Sequence, residues 1–356
     1  QWRVTLEPLK ATKLASADTK PKGKTLTVTA KHSGKTFSIQ LNDLVVGDVW
    51  LCAGQSNMAG RLKGKGTYQG ELADYPGYRH WTPTTEGGWN VCSPETAGLF
   101  NKTAFYFGRD VYKETLIPTA LIVAAVGGSR IEPWLNQEPY ETGKHYTTFI
   151  EPLVGLGIRG MVWYQGESNA SKREEPYGPK LTALIKGWRS VWQRRELSFL
   201  YVQLAPFNYA FNWLGNGGDV PEFQRLPLIW EAQRDVLSIP HTGMAVITDI
   251  TNLYDIHPRN KKEVGRRLSL WALAKTYGKE DLVYSGPLFR SLEKEGDRLR
   301  LRFDHVGSGL VSLNGQPLNW FEIAGPDGVF YKAQAEVSGE GVLVWSTRVK
   351  APVSVR

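Results

Sequence analysis

Five short apolar runs, at 48–52, 120–126, 160–164, 198–204 and 244–249, punctuate the middle of this 356-residue chain. Each is bounded by Gly, Pro or polar residues, and between most of them lie stretches with helical spacing, at 103–116, 179–195, 224–238 and 261–277. Strands buried on both faces read as unbroken apolar runs, and helices between them supply the cover. The pattern predicts an α/β core with a five-stranded parallel sheet. The ends read differently. Trp2–Leu6, Thr25–Thr29, Thr36–Leu41 and Arg298–Phe303 alternate, and Val342–Trp345 follows a turn bearing Gly339 and Gly341. Alternation of this kind predicts strands with one wet face. The expected organisation is β-rich regions at 1–45 and 284–356, candidates for one accessory β domain, around a core at 46–283.

Composition removes several classes of function. With 41% hydrophobic and 22% charged residues the chain is a folded globular protein rather than a disordered one. No apolar run approaches the ~20 residues of a membrane helix, so no membrane insertion is expected. Lysine and arginine exceed the acids by 43 − 35 = 8. They are scattered, and the clusters Arg194-Arg195, Lys261-Lys262 and Arg266-Arg267 sit beside apolar helical residues, as solvated helix faces do; no nucleic-acid partner is expected. Two cysteines and no HExxH motif leave no pattern for a metal site, and no P-loop appears; no cofactor is expected. The first residue is Gln1 rather than Met. A processed start is the expectation, with any signal peptide removed and the protein secreted or periplasmic.

Four loops converge on chemistry. Gly54-Gln55-Ser56-Asn57-Met58, Gly127-Gly128-Ser129 and Gly166-Glu167-Ser168-Asn169 each follow an apolar strand, and Asp255-Ile256-His257 follows a fourth. In open α/β sheets ligands bind at the carboxyl ends of the strands, where all four loops meet. Ser56, on a tight glycine-bearing turn, has the setting of a nucleophile; the plainer reading is a serine that caps a helix. Met58 replaces the second glycine of the G-x-S-x-G elbow, which disfavours an ordinary α/β-hydrolase. Of six histidines, His257 alone has a carboxylate two residues away, and Asp255 is a candidate to orient it as general base. Backbone N–H groups of Ser56 and of Gly127 or Gly128, with the side-chain amide of Asn169, are candidate oxyanion donors. Asn260 with Glu263 predicts the N-cap of the last helix and Gly278 its C-cap. The Asn208–Gly218 stretch reads as a loop near the site.

The blocks GDVWLCAGQSNMAG, VCSPETAG, VGGSRIEPW, GIRGMVWYQGESNA and DIHPRNKKEVGRRLSLWALAKTYG resemble the sialate O-acetylesterase family within the SGNH hydrolases. The resemblance spans positions 47 to about 278. It implies a flavodoxin-like core, Ser56 as nucleophile, Gly127 or Gly128 and Asn169 as oxyanion donors, His257 as base, and metal-free deacetylation of an acetylated glycan. Two positions depart from the family. Its acid usually stands three residues before the histidine, where this chain has Tyr254; Asp255, Glu167 and a backbone carbonyl are therefore all candidates to orient the ring. A tryptophan often precedes the paired glycines, where this chain reads AAVGGS. Gln55, Arg130 and Trp134 are expected to contact substrate, and Trp81, Trp89 and Trp213 are further loop tryptophans. Competing readings are a GDSL-type lipase or thioesterase on the same core and a non-catalytic carbohydrate-binding module.

Overall fold

The computed structural model describes residues 9–62, 74–83, 88–170, 176–209 and 225–356. The Trp2–Leu6 strand, Trp213 and nearly all of the 208–218 loop lie outside the described residues. Two compact units make up the chain, 1–282 and 283–356.

In the first unit a hairpin, β1 (Lys24–His32) and β2 (Lys35–Leu44), pairs with itself as a two-stranded sheet. The core follows with β3 (Asp48–Gly54), the short helix α1 (Ser56–Ala59), β4 (Tyr75–Trp81), β5 (Asn90–Cys92), α2 (Lys102–Thr115) and β6 (Thr119–Ala125). Then come β7 (Gly160–Tyr164), α3 (Glu167–Ala170), α4 (Tyr177–Val191), β8 (Ser198–Val202), α5 (Arg225–Asp235), β9 (Thr242–Ala245) and α6 (Lys261–Lys275). The strand order is β5-β4-β6-β3-β7-β8-β9. Its stretch β6-β3-β7-β8-β9 is the doubly wound order 2-1-3-4-5 of flavodoxin-like sheets.

Each of the five apolar runs meets a strand, the last only at 244–245, where β9 ends, and the sheet is larger than the five strands expected. β4 joins β6 in parallel and β5 pairs antiparallel with β4. Neither carries the apolar signature: β4 reads YPGYRHW and β5 is three residues long. Alternate side chains of β3 serve opposite faces. Leu51 and Ala53 join the cluster that holds Leu181, Leu184 and Trp188 of α4, whereas Trp50 meets Phe107 of α2 edge-on at 5.0 Å. The Asn260 side chain caps α6 by accepting from the Glu263 N–H (3.1 Å). The helix ends at Lys275 with Thr276 as its C-cap, two residues before Gly278.

The second unit holds β10 (Leu288–Glu295), β11 (Arg298–Asp304), β12 (Glu322–Ala324), β13 (Phe330–Lys332), β14 (Gln334–Ser338), β15 (Gly341–Trp345) and β16 (Ser354–Val355). They form a four-stranded sheet, β10-β11-β15-β14, and a three-stranded one, β13-β12-β16. The alternation of β11 puts Leu299 and Leu301 into a core with Ile323, Val342 and Val344. Arg302, on the other face, pairs with Glu293 of β10 at 3.0 Å. Gly341 belongs to β15 rather than to the preceding turn.

Gly54 closes β3 with φ +144°, a region side chains rarely adopt, and a Cβ there would lie 2.1 Å from the Tyr164 carbonyl oxygen of β7. Gly127 has nothing within 4 Å of such a Cβ. Gly54→Ala should therefore cost about 2–4 kcal/mol of stability from backbone strain and overpacking. Gly127→Ala should stay within about 0.5 kcal/mol of the parent. Chemical denaturation of the two variants beside the parent measures the difference; equal stabilities would disprove it.

Candidate active site

Four loops leave the carboxyl edge of the sheet, after β3, β6, β7 and β9, and buried side-chain amides stitch three of them together. Gln55 Oε1 accepts from the N–H of Ser168 (3.3 Å) and from Gln165 Nε2 (3.2 Å). Gln165 Nε2 also points to the Ser129 carbonyl (3.1 Å) and to Asn169 Oδ1 (2.8 Å), while Ser168 Oγ donates to the Gly128 carbonyl (3.0 Å). The fourth loop is tied in by Asn57, whose Nδ2 donates to the Ile256 carbonyl at 3.0 Å.

Against this frame Ser56 Oγ lies 2.9 Å from His257 Nε2, across 201 residues of sequence. Ser56 is half-buried and His257 exposed, so the pair is open to a ligand. Burial, then the positive charge of Lys261, lower the His257 pKa from its ordinary 6.5, and the Asp255 carboxylate acts in the opposite sense. A neutral imidazole accepts the serine proton at Nε2, which is the state a general base needs.

Asp255 does not sit on the ring. Its Oδ1 accepts from the backbone N–H of His257 (2.9 Å), and its Oδ2 lies 3.7 Å from Arg259 Nε. Among the described residues no carboxylate bonds the imidazole Nδ1. Glu167, the alternative acid, is buried, and its Oε1 accepts from Asn57 Nδ2 instead. Both acids therefore act on the histidine loop, one through a backbone N–H and the other through Asn57.

The backbone N–H groups of Ser56, Gly127 and Gly128 have no acceptor among the described residues, and both glycines are exposed. Asn169 is held in one orientation, with Oδ1 accepting from the Ile131 N–H (3.0 Å) and Nδ2 donating to the Glu132 carboxylate (3.2 and 3.3 Å). An amide nitrogen carries two hydrogens, so Asn169 keeps donor capacity beyond Glu132. Lys180 Nζ, buried, pairs with Glu132 at 2.6 Å. The Lys180 and Asn169 hydrogen bonds hold the Glu132 carboxyl below its ordinary range even though burial, the largest single influence, pushes it up.

Three expectations need correction or extension. Trp134 is fully buried, with Nε1 donating to Ser129 Oγ (3.1 Å) and its ring edge-on to Trp163 at 5.7 Å; it is core and has no face for a sugar. Gln55 is buried too, and its amide oxygen is spent on the β7 loop, so it shapes the site from behind. Arg130 stays accessible, 3.8 Å from Glu132. Trp89, 41% exposed, leans on Trp81 at 5.7 Å and is the exposed aromatic face at a strand end. Sequence reasoning missed Asn57, Glu132, Lys180 and Lys261. Asn57 and Glu132 lie inside the quoted GQSNM and VGGSRIEPW blocks, whereas a lysine on a helix gives no sign that it is buried. Among the described residues no group of three or more His, Cys, Asp or Glu could hold a metal ion, and no helix is long and apolar enough to cross a membrane.

Known proteins resemble this chain. A family model described as a sialic acid-specific acetylesterase, a carbohydrate esterase, matches residues 46–218. A carbohydrate acetylesterase from Xanthomonas citri superposes with a TM-score of 0.80 and 31% identity, over 95% of this chain and 88% of that one. The sialate O-acetylesterases of Pongo abelii and Homo sapiens are each 27% identical over 351 residues; the match takes in 82% of this chain and 64% of theirs.

An asparagine at 255 would still accept from the His257 N–H but would remove the charge that favours the imidazolium. Asp255→Asn should lower kcat less than tenfold, against roughly 10⁴-fold where a lost carboxylate had bonded the ring. The acid limb of kcat/KM should move to lower pH, because the imidazole loses a stabilising anion. A 10³-fold loss in kcat would put the carboxylate on the ring during turnover.

Proposed function

Because the chain belongs to the sialate O-acetylesterase family of carbohydrate esterases, we propose that it is a serine esterase that removes O-acetyl groups from a carbohydrate. The observation that carries this reading is the 2.9 Å contact between Ser56 Oγ and His257 Nε2, and three backbone N–H groups of the loops at the same sheet edge have no acceptor among the described residues. In the proposed reaction His257 Nε2 takes the proton from Ser56 as Oγ attacks the acetyl carbonyl carbon. The N–H groups of Ser56 and of Gly127 or Gly128, with Asn169 Nδ2, receive the negative charge that forms on the carbonyl oxygen. Each such donor is worth about 10²–10³ in kcat. The imidazolium then protonates the departing sugar oxygen, leaving an acetyl group on Ser56. Water, deprotonated by the same imidazole, attacks that acetyl group, and acetate leaves as Ser56 recovers its proton.

The acyl side has to accommodate only a methyl group, so recognition rests on the alcohol side. Arg130 and the exposed face of Trp89 supply the chemistry a sugar needs, a cation for hydroxyl rims and an apolar surface for a CH face. The carbohydrate is an acetylated oligosaccharide, polysaccharide or sialic acid, and a panel of these identifies it by acetate release.

Ser56→Ala should reduce kcat on 4-nitrophenyl acetate by about 10⁴–10⁶ while the melting temperature stays near that of the parent. A variant with a tenth of the parent rate would remove Ser56 from the mechanism. Acetyl esters should be cleaved at least about tenfold better than butyryl esters, the scale of discrimination that added methylenes allow. A preference for long acyl chains would point to a lipase or thioesterase, and no hydrolysis at all to a binding module.

A further inference from the structure

Asn57 joins three elements behind the serine. Its Nδ2 donates to Glu167 Oε1 at the start of α3 and to the Ile256 carbonyl one residue before His257, and its Oδ1 accepts from Lys261 Nζ at the start of α6. The partners dictate the amide's orientation, because an ammonium only donates and a carboxylate only accepts. Lys261 is 7% exposed, and Asn57 is the one hydrogen-bond acceptor of its Nζ among the described residues. Its Nζ lies 5.3 Å from the Tyr164 ring centroid. The Tyr164 and Tyr209 hydroxyls and Glu167 Oε2 are also buried without hydrogen-bond partners among the described residues. A charge in such a place is weakly screened and reaches further than it would at the surface.

We propose that Lys261 is a positioning residue for the ester hydrolysis: through Asn57 it holds the His257 loop opposite Ser56. The proposal rests on the esterase reading above. Around the pair stand Glu167 on α3, Lys102 on α2, Tyr164 on β7, and Asp255 with Arg259 on the histidine loop, while Ser56 meets the ring from α1. Burial lowers the Lys261 amine to about 7, against the opposing pull of Glu167 and Asp255. The amine is therefore charged in the acidic range, and its charge adds to the effect of burial in keeping the base neutral there.

The test uses Lys261→Met and Lys261→Gln, with Ser56→Ala as a control, and measures the pH dependence of kcat and KM on 4-nitrophenyl acetate together with melting temperature. Loss of the charge should raise the His257 pKa, so the acid limb of kcat/KM should move up by about 0.5–1 pH unit. Loosening of the loop should lower plateau kcat about tenfold with KM within about twofold. An unmoved acid limb in a folded variant would overturn the proposal, as would failure of both variants to fold, which would make Lys261 a requirement of the fold alone. Retained activity in Ser56→Ala would instead remove Ser56 as nucleophile, and no hydrolysis by the parent would overturn the esterase reading, so these failures are distinguishable from that of Lys261.

Discussion

The site depends on the hydrogen bonding of four buried amides, Gln55, Asn57, Gln165 and Asn169, at the carboxyl edge of the sheet. A buried polar side chain is costly unless its donors and acceptor are satisfied; Gln55, Gln165 and Asn169 bond one another and neighbouring backbone, and Asn57 bonds Glu167, Lys261 and the Ile256 carbonyl. The bonds from Gln165 to Gln55, Asn169 and the Ser129 carbonyl place three loops in one frame. Asn57 adds the fourth by reaching the Ile256 carbonyl. The approach of Ser56 to His257 follows from this frame, since neither residue is on a regular element long enough to fix it.

Charge is kept one layer further back. Asn57 is backed by Glu167 and Lys261, and Asn169 by Glu132, which Lys180 neutralises at 2.6 Å. Each loop asparagine thus rests on a carboxylate with a buried lysine beside it, Asn57 holding the histidine loop from behind and Asn169 keeping a donor hydrogen beyond Glu132. Full charges in that layer orient neutral amides from behind, the kind of arrangement by which preorganised dipoles act without a charged group at the surface of the site.

The core was legible because burial on both faces forces unbroken apolar strands, and 48–52, 120–126, 160–164, 198–204 and 244–249 all carry that mark. The outer strands β4 and β5 were not. Their residues are mixed in polarity, and only pairing to β6 makes a strand of YPGYRHW. Trp134 was misread for a related reason. A tryptophan shortly after a glycine turn looks exposed in sequence, yet the loop folds it back beside Trp163, where its N–H finds Ser129.

Sequence alone determined the alternation of strands and helices, the glycines at the end of β3 and just past β7, both with φ +144°, and the residue types brought to the site, because each is a local requirement of backbone or chemistry. Tertiary structure decided what those residues touch. The 2.9 Å contact of Ser56 with His257 spans 201 residues, and the assignment of Asp255 to a backbone N–H rather than to the ring depends on the loop's path. The burial of Lys261 depends on how α6 enters the edge of the sheet. Contacts of this kind are set by packing between distant segments, which no spacing along the chain encodes.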